Sequence, residues 1–202
     1  MEIDAKSFDA LFELGNVLVQ QGLNLEEARF FQEAIHCFEQ AKVLMTGQEE
    51  NAVVFYWQFG RAWYYLGKLS GEAMDFHYAI ENYRHVCSSG IESSFFWNDY
   101  GDAIIEMAFL VGKKEYFFEA IDHYTYATLL DKNHFQGYFN LACAYQCVFE
   151  MTVDAEYFEK AHEYFEKKST KTLRQQPVKK SKLESICGGL LVTMCDSEHK
   201  MN

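Results

Sequence analysis

Four stretches of the chain repeat one spacing of large apolar and small residues. They are Leu11-Leu14-Gly15-Leu18, Tyr56-Phe59-Gly60-Trp63, Trp97-Tyr100-Gly101-Ile104 and Tyr138-Leu141-Ala142-Tyr145. Steps of three and four keep residues on one face of a helix, so each stretch predicts an amphipathic helix. The small residues follow one another at intervals of 45, 41 and 41. Glycine in mid-helix costs about 1 kcal/mol relative to alanine. Its recurrence predicts a tight helix–helix crossing where a larger side chain would not fit.

A second pattern follows each of the first. An alanine lies 19 residues after every small residue: Ala34, Ala79, Ala120 and Ala161. Three residues before each alanine stands a phenylalanine: Phe31, Phe76, Phe117 and Phe158. Four residues after it stands an aromatic: Phe38, Tyr83, Tyr124 and Phe165. Three further on come Ala41, Val86 and Ala127, with Lys168 in the fourth unit. These steps again mark one helical stripe. Gly22, Gly67 and Gly112 lie between the paired segments, where glycine is the expected helix stop. Phe149 and then Thr152 or Asp154 mark that junction in the fourth unit. The second segments open with acids (Glu26 and Glu27, Glu72 and Asp75, Glu115, Asp154 and Glu156), which complement a helix N-terminus. The pattern predicts eight helices in four antiparallel pairs.

Here the chain resembles the tetratricopeptide repeat family, whose first helix carries large apolar, Leu, Gly and Tyr positions and whose second carries Ala, Phe and Ala. The resemblance covers residues 1–168, with repeats over about 6–45, 51–90, 92–131 and 133–168. It implies an all-α fold, a right-handed superhelix of stacked antiparallel helix pairs, because one pair cannot bury its apolar stripe alone. The family period is about 34 residues, so the 41-residue spacing here adds about seven between the small residue and the alanine. Seven residues are about two helical turns, and we place them at the start of each second helix. The family's inter-repeat proline is missing; Asp131-Lys132-Asn133 stands where Asp-Pro-Asn is common.

Charge separates the repeats from the tail. Residues 1–166 carry 10 Lys/Arg and 27 Asp/Glu, whereas residues 167–202 carry 8 and 3. The tail, 169–202, reads as a basic linker with a possible short helix over Leu183–Cys195 docking on the last repeat. The net charge of −12 repels phosphate backbones, which speaks against nucleic acid. No apolar run reaches the ~18 residues of a membrane span, so no membrane insertion is expected. Residues 1–15 lack a basic segment followed by an apolar core, so no secretory signal is expected. The six cysteines form no C-x-x-C pair and read as buried thiols in a reducing, cytoplasmic compartment.

Candidate chemistry is sparse. His36, His77, His123 and His162 fall at different offsets from their repeat alanines. Cys143 and Cys147 are one turn apart, but two ligands are too few for a metal site. No phosphate-cradling glycine loop or nucleophile elbow occurs. No catalytic residue, metal or cofactor is therefore assigned. What remains is binding. The resemblance implies an inner groove lined by first-helix residues that face away from the second helix. Those positions are Phe12, Asn16, Val19 and Gln20; Trp57, Arg61, Tyr64 and Tyr65; Phe95, Asn98, Asp102 and Ile105; and Phe139, Cys143 and Gln146. Many are aromatic, as protein-recognition surfaces are. Asn16, Asn98 and Arg61 are there, but the lysines of a carboxylate clamp are not. The expectation is a non-catalytic adaptor or scaffold that holds an apolar or amphipathic peptide or helix of a partner protein. A secretion-type or assembly chaperone is one alternative. Others are a structural subunit held through the convex face and an enzyme with a site at the groove edge.

Overall fold

A computed structural model describes residues 7–46 and 51–168. Among these residues eight helices follow in order: α1 (Phe8–Leu25), α2 (Ala28–Leu44), α3 (Ala52–Ser70), α4 (Ala73–Cys87), α5 (Ser94–Val111), α6 (Lys114–Leu130), α7 (Phe135–Thr152) and α8 (Ala155–Lys168). The basic tail and its possible helix lie outside the described residues. The chain divides into two compact units, one built on α1–α4 and the other on α5 through Ala108 with α6–α8.

Start signals are local. The Ser7 hydroxyl accepts from the Ala10 amide at 3.2 Å, and the Ser93 hydroxyl from the Phe96 amide at 3.4 Å. Each serves an orphan donor of the first turn. The proline-free turn before α7 closes through Asp131, whose carboxylate accepts from the Asn133 amide at 2.8 Å. That bond shapes the turn in place of a fixed proline φ.

The helix stops differ from expectation. Gly22 and Gly67 lie inside α1 and α3, and of the three glycines only Gly112 ends a helix. The residues that end the four first helices are Glu26, Gly71, Gly112 and Val153, each eleven after its small residue. All four are left-handed, with φ of 56°, 74°, 70° and 57°. Each donates its amide to the carbonyl four residues back, at 2.7–2.9 Å. Glycine suits this conformation, whereas Cβ crowds the carbonyl and costs about 1–2 kcal/mol. Val153 is β-branched and 78% exposed, so nothing there compensates. Val153→Gly should therefore stabilise the protein by about 1 kcal/mol, and Gly112→Ala should destabilise it by a similar amount. Urea unfolding of both variants checks this; equal midpoints would remove strain as the account of these caps.

Helix pairing follows the small residues. A Cβ on Gly15 would lie 2.5 Å from the Phe38 ring, and one on Gly22 would lie 2.7 Å from Phe31. Gly60 meets Tyr83 in the same way, at 2.4 Å, and Gly67 meets Phe76, at 3.0 Å. The later glycine meets the earlier aromatic, so the pairs are antiparallel. Gly101 meets Tyr124 at 2.6 Å, and the in-register partner of Gly67 on α5 is the fully buried Ala108. On α7 and α8 the register holds Phe149 against Phe158, with ring centroids 5.3 Å apart. The extra residues are thus not confined to the start of the second helix. Ten residues of each first helix follow the small residue, and each second helix begins six before its alanine. About seven residues shared by two arms add about one turn to each. That keeps both stripes in register and adds a second small-to-aromatic layer.

In the α1–α4 unit the core is aromatic. Phe55 is fully buried, with ring centroids 5.4, 5.8 and 5.9 Å from Phe8, Phe12 and Phe38. Phe59 packs on Phe38 at 5.5 Å, and Phe31 on Tyr65 at 5.6 Å. The core arc is wider than the repeat pattern implied, since it includes the position five before the small residue. Phe55 and Phe96 occupy it and are fully buried, and on α7 Gly137 meets Thr128 of α6 at 3.5 Å. In contrast Tyr56, Trp63, Trp97, Tyr138 and Tyr145 are half-buried, and Leu14 is exposed. Two first helices touch both their own partner and the preceding second helix: α3 touches α4 and α2, and α7 touches α8 and α6. Two neighbours demand a broader apolar arc than one.

Candidate functional site

In the α1–α4 unit four expected groove residues of one helix keep some accessible surface. Trp57, Arg61, Tyr64 and Tyr65 are all half-buried on α3. Their offsets of three and four put Trp57, Arg61 and Tyr64 on successive turns. Arg61 Nη1 donates to Gln58 Oε1 at 3.2 Å, and the guanidinium carbon lies 5.7 Å from the Tyr65 ring centroid. Tyr64 packs edge-on against Tyr65 at 5.0 Å and against Phe76 of α4 at 6.0 Å. Arg61, Tyr64 and Tyr65 thus support one another, and all remain half-buried. On α1, Asn16 is half-buried with its Oδ1 lacking a partner, and the exposed Gln20 donates to Asn24 at 3.2 Å. Phe12 and Val19 are core, 5% and 3% exposed, and offer no surface to a partner.

The α5–α8 unit is different. Ile105, Phe139 and Cys143 are buried, and so are Asn98 and Gln146. Asn98 and Asp102 belong to an internal network. Asp102 Oδ1 accepts from the Tyr124 hydroxyl at 2.7 Å and from Asn140 Nδ2 at 2.8 Å, while Oδ2 accepts from Asn98 Nδ2 at 3.2 Å. Asn140 Nδ2 also donates to Asn98 Oδ1 at 3.0 Å, and Gln136 Nε2 donates to Asn140 Oδ1 at 2.8 Å. Three donors, from α5, α6 and α7, thus converge on the Asp102 carboxylate. Asn98 and Asp102 therefore hold helices in register. Phe95 is the exception, 63% exposed with its ring 4.7 Å from the His134 ring.

Burial shifts several cysteines and histidines. Burial pushes the Cys147 thiol up to about 12 and raises Cys37 and Cys87 as well, so none of these is a ready thiolate. Cys37 and Cys147 are buried free thiols, as expected, whereas the free Cys87 is half-buried. Cys143 is disulfide-bonded, which weakens the cysteine argument for a reducing compartment. Among the described residues no three His, Cys, Asp or Glu side chains converge as metal ligands. Burial lowers His123 from 6.5 to about 4 and also lowers His134. An imidazole kept neutral by the fold but free to charge on unfolding destabilises as pH falls. Its contribution is full above pH 6.5 and is lost as pH drops toward about 4. Urea midpoints should fall through that window, and His123→Gln should flatten part of the slope. An unchanged slope would show that this ring is not shielded.

One further face was not anticipated as a site. Aromatics four before, one before or three after the small residue meet the second helix of their own pair. Trp63 packs on Tyr78 at 4.7 Å, Tyr56 stacks on His85 at 4.5 Å, and Trp97 and Tyr100 stack on His123 at 5.3 and 4.2 Å. The available signal was residue type: Tyr and Trp, which keep a polar edge wet, stand where a buried stripe would use Leu or Phe. No helix among the described residues is long and apolar enough to cross a membrane. No protein-family model matches the chain, and no curated protein matches it either.

Proposed function

We propose that the chain is a non-catalytic protein-recognition module, a divergent tetratricopeptide-like array whose helix pairs stack as a right-handed superhelix. Its binding face is that of α3, where Trp57, Arg61 and Tyr64 present one half-buried row. That row carries the reading. Trp, Arg and Tyr are the residues most enriched among interface hot spots. Here the fold also stiffens them, with Arg61 near the Tyr65 ring and Tyr64 held on Phe76. Ordering is then partly complete before a partner arrives, which lowers the entropic cost of binding. The fitting partner is an apolar or amphipathic peptide with an acceptor for Arg61. The acidic composition points away from nucleic acid.

Selection of displayed peptides on the whole chain, followed by affinity measurement, tests the proposal. Trp57→Ala should weaken the selected peptides by more than about 2 kcal/mol, roughly 30-fold. The same change should leave the unfolding midpoint close to wild type, because Trp57 is half-buried. Peptides that bind Trp57→Ala and Arg61→Ala as tightly as wild type would move the site elsewhere.

A further inference from the structure

In each unit, fixed positions of a first helix face the first helix that follows. Three before the small residue, Phe12 packs on Phe55 of α3 at 5.8 Å, and Asn98 Oδ1 accepts from Asn140 of α7 at 3.0 Å. One after it, Asp102 accepts from Asn140 at 2.8 Å. The same two positions on α7 are Phe139 and Cys143. No first helix follows α7 among the described residues. Phe139 is nevertheless 8% exposed, with its ring 5.9 Å from that of Phe165 on α8, and Cys143 is 0% exposed. Asn16 and Asp102 occupy the Cys143 position and do have a following first helix in their own unit, yet both are only half-buried.

Cys143 is also disulfide-bonded. Cys37, Cys87 and Cys147 are free thiols, so within the chain its partner is Cys187 or Cys195. Both belong to the apolar stretch Leu183–Cys195. Reach is ample, because α8 ends three residues after Phe165, whose ring lies beside Phe139. The connector 169–182 spans up to about 46 Å when extended, against about 21 Å for the whole of α8. It carries Lys171, Arg174, Lys179, Lys180 and Lys182 and no acid, while α8 exposes Glu159, Glu163 and Glu166. Opposite charges favour its return along α8.

We infer that Leu183–Cys195 lies over this face of α7 as the terminal cap of the array, fixed there by a disulfide from Cys143. The end of a stacked array needs a cover, because its last apolar face has no next repeat. Leu183, Ile186, Leu190 and Leu191 supply apolar surface for it. The bond forms by exchange with a small-molecule disulfide. The tail thiolate attacks that disulfide and releases one thiol. The Cys143 thiolate then attacks the mixed disulfide and releases the second. Two protein thiols become one disulfide; their protons pass to the two departing thiolates, and the small molecule takes both electrons. Reduction reverses the exchange and frees the cap, so thiol chemistry opens and closes the α7 face. The inference is independent of the α3 recognition face, which lies in the other unit.

The test is a disulfide map of the full chain, equilibrated with oxidised and reduced glutathione, alkylated without reduction and digested with trypsin. The expected product joins the Cys143 peptide to residues 183–200, which hold both Cys187 and Cys195. Cys87→Ser, at a half-buried free thiol, should leave the link in place, and Cys143→Ser should remove it. Once reductant has cut the link, a glutamate-specific protease should cleave after Glu184 at least tenfold faster. Alkylated Cys143 in the wild-type map, a link from Cys143 to any other cysteine or to a second copy, or an unchanged Glu184 cleavage rate on reduction would each overturn the inference.

Discussion

Phe55→Ala is expected to cost the α1–α4 unit about 3–5 kcal/mol, the range for deleting a buried phenylalanine. Phe55 is fully buried where α1, α2 and α3 meet, and its ring touches five others: Phe8, Phe12, Phe38, Tyr56 and Phe59. Removal loses the transfer free energy of the ring and leaves a void lined by rigid aromatics. Such rings refill space poorly, because they move only as whole plates held by their own neighbours. Two residues along the same helix, Trp57→Ala removes a larger side chain from a half-buried site and should cost much less. Urea unfolding followed by tryptophan fluorescence and by circular dichroism measures both changes. If Trp57→Ala lowers the midpoint more than Phe55→Ala, α3 is rotated from this description and its recognition face is wrong. The internal comparison matters because the sequence pattern nominated Tyr56 as the core residue here, and Tyr56 is half-buried against His85.

Gly101→Leu should be comparably damaging in the α5–α8 unit, at several kcal/mol. Even its Cβ would lie 2.6 Å from Tyr124 Cε1 and 2.8 Å from Cδ1. The ring cannot simply withdraw. Tyr124 is fully buried, and its hydroxyl donates to Asp102, which also holds Asn140 from α7. Overpacking typically costs about 1–3 kcal/mol, and parting a buried hydrogen bond adds about 1–3 more. Gly137→Ala is the matched control. The nearest atom to its added Cβ is Thr128 Cγ2 at 3.5 Å, an ordinary contact, and the position is helical. Helix propensity then dominates, and a gain of about 0.5–1 kcal/mol is expected. Chemical denaturation of the two variants should move their midpoints in opposite directions. A Gly101→Leu protein as stable as wild type would remove the close α5–α6 crossing on which the repeat register rests.

Much of this architecture was legible in the residues alone. Local spacing determines which side chains share a helical face, so the eight helices and their pairing were readable from Gly15, Gly60 and Gly101 and the aromatics that cover them. Glycine as a generic stop signal misled at Gly22 and Gly67. Both serve as second crossing points within helices, while Glu26 and Val153 end helices with no glycine at all. A small residue has two uses, close approach and left-handed turning, and sequence does not say which applies.

What covers each face was decided by tertiary structure. Phe12, Asn98 and Phe139 have groove spacing but are buried: Phe12 lies against Phe38 of α2 and Phe55 of α3, Asn98 is held by Asn140 of α7, and Phe139 meets Phe165 of α8. Asn140 on α7 lies 42 and 38 residues from Asn98 and Asp102 on α5, and only folding brings it onto the Asp102 carboxylate. Periodicity sets direction from the helix axis, a property of a few neighbouring residues. Burial depends on what arrives from elsewhere in the chain, and that is a property of the packed fold.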